Sequence, residues 1–532
     1  MTNKANDPSA DEDLIVGSGP SGVAAAHALL ARGRKVRMLD VGGELEPANA
    51  ERAARMGAVE PGAWRKEDVD SLLAPPEEES NAAMRPYGSD FALRDTVGFF
   101  GRGGAPAGIG LRPSFARGGL SNGWGSAVTP YRLKDITDWP KEAQELAPHY
   151  AAAARILPIA AGTDDLADIF SMWSPEHERA LPSSPQASEL LKRLAKRADA
   201  LRRQGIAFGR ARQAVAEGCR TCGLCLHGCP YRLIFNASRA LDGLIGRDGF
   251  TYEPRRYVQR FEESENGVTV VSREPDSGAF ITHKARRLFL AAGVLPTAKI
   301  MLSSVGAPGE KLILLDSQYM LMPMLHAWSH KGDVAQAPQH SLTQVFLEID
   351  DPEISEESAH AQLYTYNDHF EGDLLARFDA LGLLAAPLAR AFSRRLIVAQ
   401  AFLHSRLSGS MAMSLEAKDG EARLKLEPVE NPASLPALAR LKQRLLGALA
   451  PSGVFALTPF ARMDAIGSSF HCGGSFPMRD APQGLEADVL GRPAGLERVH
   501  IVDASVLPSI PATTITFSVM ANASRIASSA PL

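Results

Sequence analysis

The chain has 532 residues, 45% of them hydrophobic and 22% charged, and a net charge of -4. Such a length exceeds one compact core, so two domains are expected, and the balanced charge excludes a general electrostatic attraction to nucleic acid or anionic membrane. No run of about 18 apolar residues occurs, and residues 1–13 are polar and acidic without the apolar centre of a signal peptide, so a cytoplasmic protein without a membrane segment is expected.

The first pattern is DLIVGSGPSGVAAAHALLARGRKVRMLD at 13–40. Residues 14–16 form a short apolar strand, and Gly17, Gly19 and Gly22 follow at the G-x-G-x-x-G spacing. Gly17 permits a tight turn, Gly19 lets backbone approach a pyrophosphate, and Gly22 lets an Ala-rich helix pack on the strand. That helix ends at Gly33, and residues 36–39 make a second strand followed by Asp40, placed to hydrogen-bond ribose hydroxyls. Together these pieces predict a dinucleotide site, open at this point to NAD as well as FAD.

Residues 75–80 are acidic and Pro-containing and read as a surface excursion. A Gly-rich stretch from Gly101 to Gly125 follows, in which GGLSNGWG at 118–125 sets small residues around Trp124, as suits a flat cofactor in close packing. Helical spacing returns in KEAQELAPHYAAAARIL and in the basic, amphipathic ASELLKRLAKRADALRRQ, whose charged side is expected to face solvent.

Four of the five cysteines then crowd together: Cys219, Cys222, Cys225 and Cys229 stand at C-x2-C-x2-C-x3-C-P, a bacterial ferredoxin spacing. There is no second run, and the remaining cysteine is Cys472. An iron–sulfur cluster, a zinc held by four thiolates, or plain buried thiols all satisfy this pattern. His227, inside the loop, is read as a bystander.

Strands are expected at 257–258 and 268–271 around a turn at 265–267, and LFLAAGVLPTAKIMLSS is a buried strand, a close-approach AAG ending at Gly293, and a helix opened by Pro296. From 312 to 457 the chain turns β-rich, in SLTQVFLEID, AHAQLYTY, RLIVAQAFLHS and SGSMAMSLEA, with a helical insert near 372–394. His326, His340 and His369 lack metal-ligand spacing and are read as surface or structural residues. PASLPALARLKQRLLGAL is a further helix. In the last part, SFHCGGS at 469–475 sets His471 before a Gly-Gly turn, and HIVDASVLPSIPATTITFSVMANASRIA is a strand, a turn and a long helix, with His500 just ahead of the strand. His471 is the candidate base.

These landmarks, in this order, resemble the glucose-methanol-choline family of FAD-dependent oxidoreductases. The resemblance implies an α/β protein, α+β overall: a Rossmann-like FAD-binding domain, discontinuous in sequence (1–311 and 458–532), and a substrate domain (312–457) on a largely antiparallel sheet. It implies that Gly17, Gly19, Gly22 and Asp40 hold the ADP half of FAD, that Gly119, Ser121 and Asn122 lie along the flavin, and that Val258 meets the adenine region. Gly293 is expected against the nucleotide, and Asp503 and Ala504 near the pyrophosphate and ribityl chain. His471 matches the family histidine that takes the hydroxyl proton of an alcohol or sugar-like substrate while hydride goes to the flavin. Where the family has an Asn or second His, this chain has Thr513 and Thr514, and a threonine donates a hydrogen bond but cannot serve as a base near neutral pH. Thr514 is the second catalytic candidate, and altered or net non-redox chemistry and a non-catalytic scaffold stay open as alternatives. The cysteine run resembles a subgroup that passes electrons through an iron–sulfur cluster, which implies a dehydrogenase with an electron-acceptor protein as partner.

Overall fold

A computed structural model describes residues 11–74, 85–101, 109–328, 334, 337, 339–367, 386–418 and 421–531. Residues 1–10, the excursion at 75–80, part of the Gly-rich stretch, His369 and the first part of the insert at 372–394 lie outside these.

Five parallel strands form the central sheet, in the order Val499–Ile501, Arg287–Leu290, Asp13–Val16, Val36–Leu39, Phe250–Glu253. The register pairs Asp13 with Val36 and with Arg287, so strands far apart in sequence lie side by side. Their short apolar runs are buried because helices cover the sheet. The Ala-rich helix Pro20–Ala31 packs against the last helix, Thr516–Ser529, whose C-terminal carbonyls are capped by the Arg32 guanidinium at 2.9 Å from Ala527 O and 2.7 Å from Ala530 O. His500 lies within its strand, not ahead of it: it is fully buried and its ring stacks on Phe289, its strand neighbour, at 4.8 Å. A polar residue in a three-residue strand leaves no alternation from which to read that placement.

Asp13 anchors the bottom of this sheet. Its carboxylate is fully buried, 2.9 Å from Arg34 Nε and 3.9 Å from an Arg287 nitrogen. Removing one partner of a buried pair strands the other charge. Asp13→Ala is therefore expected to destabilise the fold by roughly 3–5 kcal/mol, seen as a lower thermal midpoint.

A second, antiparallel sheet runs Val454–Ala456, Tyr319–His326, Leu396–Phe402, Ala359–Tyr364, Val345–Ile349, Ile206–Arg210, with Arg462–Met463 also paired to Tyr319–His326. One face carries Leu347, Ala361, Leu363, Ile397 and Ala399 and packs on the helices Pro185–Ala195 and Ser434–Leu449. The other face, alternate in sequence, looks towards the parallel-sheet half of the molecule. Two features differ from the segment expected at 312–457. Its edge strand Ile206–Arg210 comes from much earlier in the chain, too short and Gly-interrupted to stand out in sequence. The SGSMAMSLEA strand, Ser410–Lys418, instead joins Glu421–Val429, Leu312–Asp316 and Cys472–Gly473 in a separate four-stranded sheet. A three-stranded meander, Tyr257–Ser264, Gly267–Arg273 and Phe280–Ala285, completes the β-structure. His326 and His340 are buried rather than on the surface, His326 stacking on Trp328 at 4.5 Å. Among the described residues no helix is long and apolar enough to cross a membrane.

Candidate active site

At the C-terminal end of Asp13–Val16 the chain turns at Gly17, where φ is +101° and a Cβ would meet Ala291 O at 2.4 Å. At Gly22 a Cβ would lie 2.0 Å from Gly17 O, so helix and strand are in backbone contact there. Gly19 differs: nothing lies within 4 Å of the position its Cβ would take. The open space in front of it faces the start of the Pro20–Ala31 helix, whose first turn has no side-chain cap, so its N–H groups are free for a phosphate.

Around this cradle Ser18 donates to Asp40 and accepts the Gly118 N–H at 2.8 Å, and Tyr252 donates to Asp40 at 3.1 Å. Burial pushes the Asp40 carboxyl up to about 6 against the hydrogen bonds from Ser18 and Tyr252. Gly17, Gly19, Asp40, Gly119, Val258 and Gly293 border one narrow cavity. Pro20, Leu120 and Gly293 are shared with the wall of a wider cavity of about 440 Å³. The wider cavity is bordered by Ser121, Asp503, Ala504, Thr514 and His471. Gly22 serves packing and is not on either wall. Asn122 is also off both walls: its side chain bonds Arg117 O, Gly119 O and Asn236, and it faces a pocket on the other side of the loop. Ser121 is likewise engaged, donating to Gly118 O and accepting from Ala237 N.

The two adjoining cavities, the open space at Gly19 and the buried acid at Asp40 fit an extended dinucleotide such as FAD. Asp503 accepts from Gly293 N at 2.9 Å, from Thr297 Oγ1 at 2.5 Å and from Ser505 N at 3.0 Å, which ties the last motif to the AAG turn.

His471 borders the wider cavity and not the narrow one. Its ring stacks on Phe402 at 5.0 Å, and its Nδ1 is buried without a partner among the described residues, leaving Nε2 to meet the cavity. Burial, with a smaller contribution from nearby His360, lowers its pKa to about 4, so the ring is neutral at neutral pH. The loop that carries it is fastened to Asp316, which sequence reading passed over. Asp316 accepts from Gly467 N at 2.7 Å, Ser469 Oγ at 2.6 Å and Cys472 Sγ at 3.3 Å, and Ser469 Oγ in turn accepts the His471 N–H at 2.9 Å. Beside His471, Phe470 has φ +57°, a strained conformation of a kind that clusters at functional sites.

Thr514 borders the cavity and Thr513 does not. Thr514 Oγ1 accepts the Thr129 N–H at 2.8 Å, so its own proton is left for Thr129 Oγ1, 3.0 Å away, or for an oxygen in the cavity. The sheet supplies Gln362, Tyr364 and Gln400, which were invisible as site residues until the strands were paired, although they fall at alternate positions of AHAQLYTY and RLIVAQAFLHS.

Cys219, Cys222, Cys225 and Cys229 are all free thiols, and all four border a single small cavity together with His340. That cavity is about 20 Å³, and among the described residues no three His, Cys, Asp or Glu side chains close on one metal ion. His227 is not on its wall.

Residues 411–523 match the family described as GMC oxidoreductase, in its C-terminal domain. Among solved structures the chain is similar to pyridoxine 4-oxidase from Mesorbium loti, with a TM-score of 0.60 and 13% identity, over 97% of this chain and 98% of that one. At that identity the likeness is one of fold. A search of curated proteins found no match.

Proposed function

We propose that this chain, whose residues 411–523 match the GMC oxidoreductases, oxidises a CH–OH group of a small-molecule alcohol, with FAD lying from the Gly17–Gly22 turn to His471. The observation that carries this reading is a pair of adjoining cavities that share Pro20, Leu120 and Gly293 as wall, the first bordered by the Gly17–Gly19 turn and the second by His471, whose Nδ1 has no partner among the described residues. Bound FAD would supply the acceptor for the hydride that leaves the substrate carbon.

The chain's own groups handle the proton. Nε2 of His471 takes it from the substrate hydroxyl, which makes the adjacent C–H a better hydride donor. Thr514, held by the Thr129 amide, donates to the same oxygen and orients it. Phe402 on one side and the Asp316-fastened loop on the other keep the imidazole in place. The products are the aldehyde or ketone and a reduced cofactor. Incubation with CH–OH donors and a one-electron dye should yield the matching carbonyl compound; no carbonyl product from any donor would overturn the reading.

A finer proposal concerns the oxidant. Cys219, Cys222, Cys225 and Cys229 hold an iron–sulfur cluster, and the enzyme is a dehydrogenase that serves an acceptor protein rather than oxygen. In support, four unpaired thiols border one cavity, and Trp124 on the wall of the main cavity also borders the pocket that reaches Cys225 and Cys229. The segment after the cysteines is fastened to the flavin-side loop through Trp124 Nε1 to Phe235 O at 3.0 Å and Ala237 N to Ser121 Oγ at 2.9 Å. The thiol cavity holds about one water molecule, so the reading requires the four thiols to stand farther apart than they do here. Protein purified anaerobically is expected to show a broad brown absorption that Cys222→Ala removes while the flavin bands stay. Flavin bands alone in the unaltered protein, with peroxide formed in step with substrate, would contradict it.

A further inference from the structure

On the reading of His471 as the base and Thr514 as the donor to the substrate oxygen, we infer that Thr129 is a positioning residue. With Thr513 and Thr514 it forms a one-way chain of hydroxyls that ends in the cavity and makes the substrate turn its own O–H towards His471. The three threonines come from two distant parts of the chain. Thr129 Oγ1 lies 2.5 Å from Thr513 Oγ1 and 3.0 Å from Thr514 Oγ1, and the Thr129 amide donates to Thr514 Oγ1 at 2.8 Å. All three residues are buried, and of them Thr514 alone borders the cavity. None of the three hydroxyls has a further partner among the described residues.

Counting protons and lone pairs fixes the direction. A threonine hydroxyl carries one proton and two lone pairs, and a buried proton without an acceptor costs the full desolvation of its group. The Thr513 proton has one acceptor within reach, Thr129 Oγ1. Thr129 then sends its own proton to Thr514 Oγ1. Thr514 thereby accepts twice, from the Thr129 hydroxyl and from the Thr129 amide, so both lone pairs are filled and its own proton is left for the cavity. In the reverse direction, from Thr514 through Thr129 to Thr513, the chain would end on a Thr513 proton sealed away from solvent and cavity alike. With Thr513 and Thr514 both donating to Thr129, the stranded proton would be that of Thr129. Hydroxyls linked head to tail also polarise one another, which strengthens the last donor.

The consequence falls on the substrate. A threonine with a free lone pair would accept the substrate's O–H as readily as donate to it, and would then hold that proton away from the base. Thr514 has both lone pairs filled and only donates. A substrate oxygen that accepts from Thr514 therefore directs its own proton elsewhere, and among the described residues the one imidazole on the wall is that of His471. As the proton leaves, the oxygen gains negative charge and the bond from Thr514 strengthens, so the chain acts more on the transition state than on substrate binding.

The test uses flavin-loaded parent, Thr129→Val, Thr129→Ser and the double variant Thr129→Val with Thr513→Val. Anaerobic flavin reduction is followed with whichever of benzyl alcohol, cyclohexanol, glucose and sorbitol reduces the parent fastest. Valine keeps the shape of threonine and removes the hydroxyl. Thr129→Val should lower the limiting reduction rate about tenfold, while the half-saturating donor concentration changes by less than about threefold. Thr129→Ser, which keeps the hydroxyl, should recover most of the lost rate. The double variant separates this role from a structural one. Thr129→Val strands the Thr513 proton and is expected to melt below the parent, and removing the Thr513 hydroxyl as well should raise the melting temperature again without restoring the rate. A Thr129→Val rate within about twofold of the parent, a loss carried by the half-saturating concentration instead, or a rate that returns with the melting temperature would overturn the inference while leaving the oxidation itself standing. Failure of all these donors to reduce the parent flavin, with no carbonyl product from a wider set of alcohols, would instead fell the reading on which it rests.

Discussion

Replacing His471 by alanine is expected to slow substrate-driven reduction of the flavin by about 10²–10⁴-fold while leaving the flavin bound. The size is that of losing a general base, the role proposed for His471, for which the cavity offers no other imidazole among the described residues. Thr514 cannot take its place, because a hydroxyl does not hold a proton near neutral pH. His360 is fully buried and paired through Nδ1 to Glu348 at 2.5 Å. The pH dependence carries an independent sign. Burial favours the neutral imidazole and lowers the His471 pKa to about 4, so the base is competent above that value and protonated below it. The reduction rate should therefore hold level through neutral pH and fall only as pH drops through about 4. A fall that begins near the ordinary histidine value of 6.5, or an alanine variant within about tenfold of the parent rate, would contradict the assignment.

Gly19→Ala and Gly22→Ala should fail in opposite ways. A methyl group on Gly22 would come within 2.0 Å of Gly17 O, backbone against backbone, so strand and helix must separate. That variant is expected to lose thermal stability even without cofactor, by an amount in the range of an overpacked core, about 1–3 kcal/mol or more. Gly19 has φ -65°, which alanine adopts freely, and open space before it. Its variant should keep the melting behaviour of the cofactor-free protein yet bind little flavin, because the new methyl group occupies the place where a pyrophosphate must approach. Melting curves of the stripped proteins, set beside flavin content after reconstitution, separate the two. Equal flavin content in Gly19→Ala and the parent would remove the cradle from that position.

The two glycines also show why this part of the fold was legible in the sequence. The strand, turn, helix and acid of 13–40 are local, and each demand for glycine arises from residues within one short stretch or from the Ala291 backbone set against it. The joining of Arg287–Leu290 and Val499–Ile501 to the same sheet was readable for a related reason, since a short apolar strand followed by AAG or VDAS has few other places to go. His471 stood out because a Gly-Gly turn follows it, and it does border the wider cavity. What could not be read depended on pairing between distant strands. Gln362 and Gln400 reach the cavity together only when Ala359–Tyr364 and Leu396–Phe402 meet in one particular register; a slip of either strand by one residue would turn its own glutamine into the core. Asp316 ends an unremarkable apolar strand, and its three hydrogen bonds all come from a loop about 150 residues later. Asn122 was assigned to the cofactor by its neighbours in sequence, yet in so tight a turn adjacent side chains point to opposite sides, and it faces Asn236. The cysteine spacing, specific as it is, specifies four thiols around a common point and leaves open what they enclose.

The most direct measurement of the central claim is the visible spectrum of the purified protein before and after anaerobic addition of a series of CH–OH donors. The two absorption bands of oxidised flavin are expected at the start and their bleaching by at least one donor, with the bleaching nearly abolished in His471→Ala. A protein that carries no flavin, or one whose flavin no CH–OH donor reduces, would contradict it.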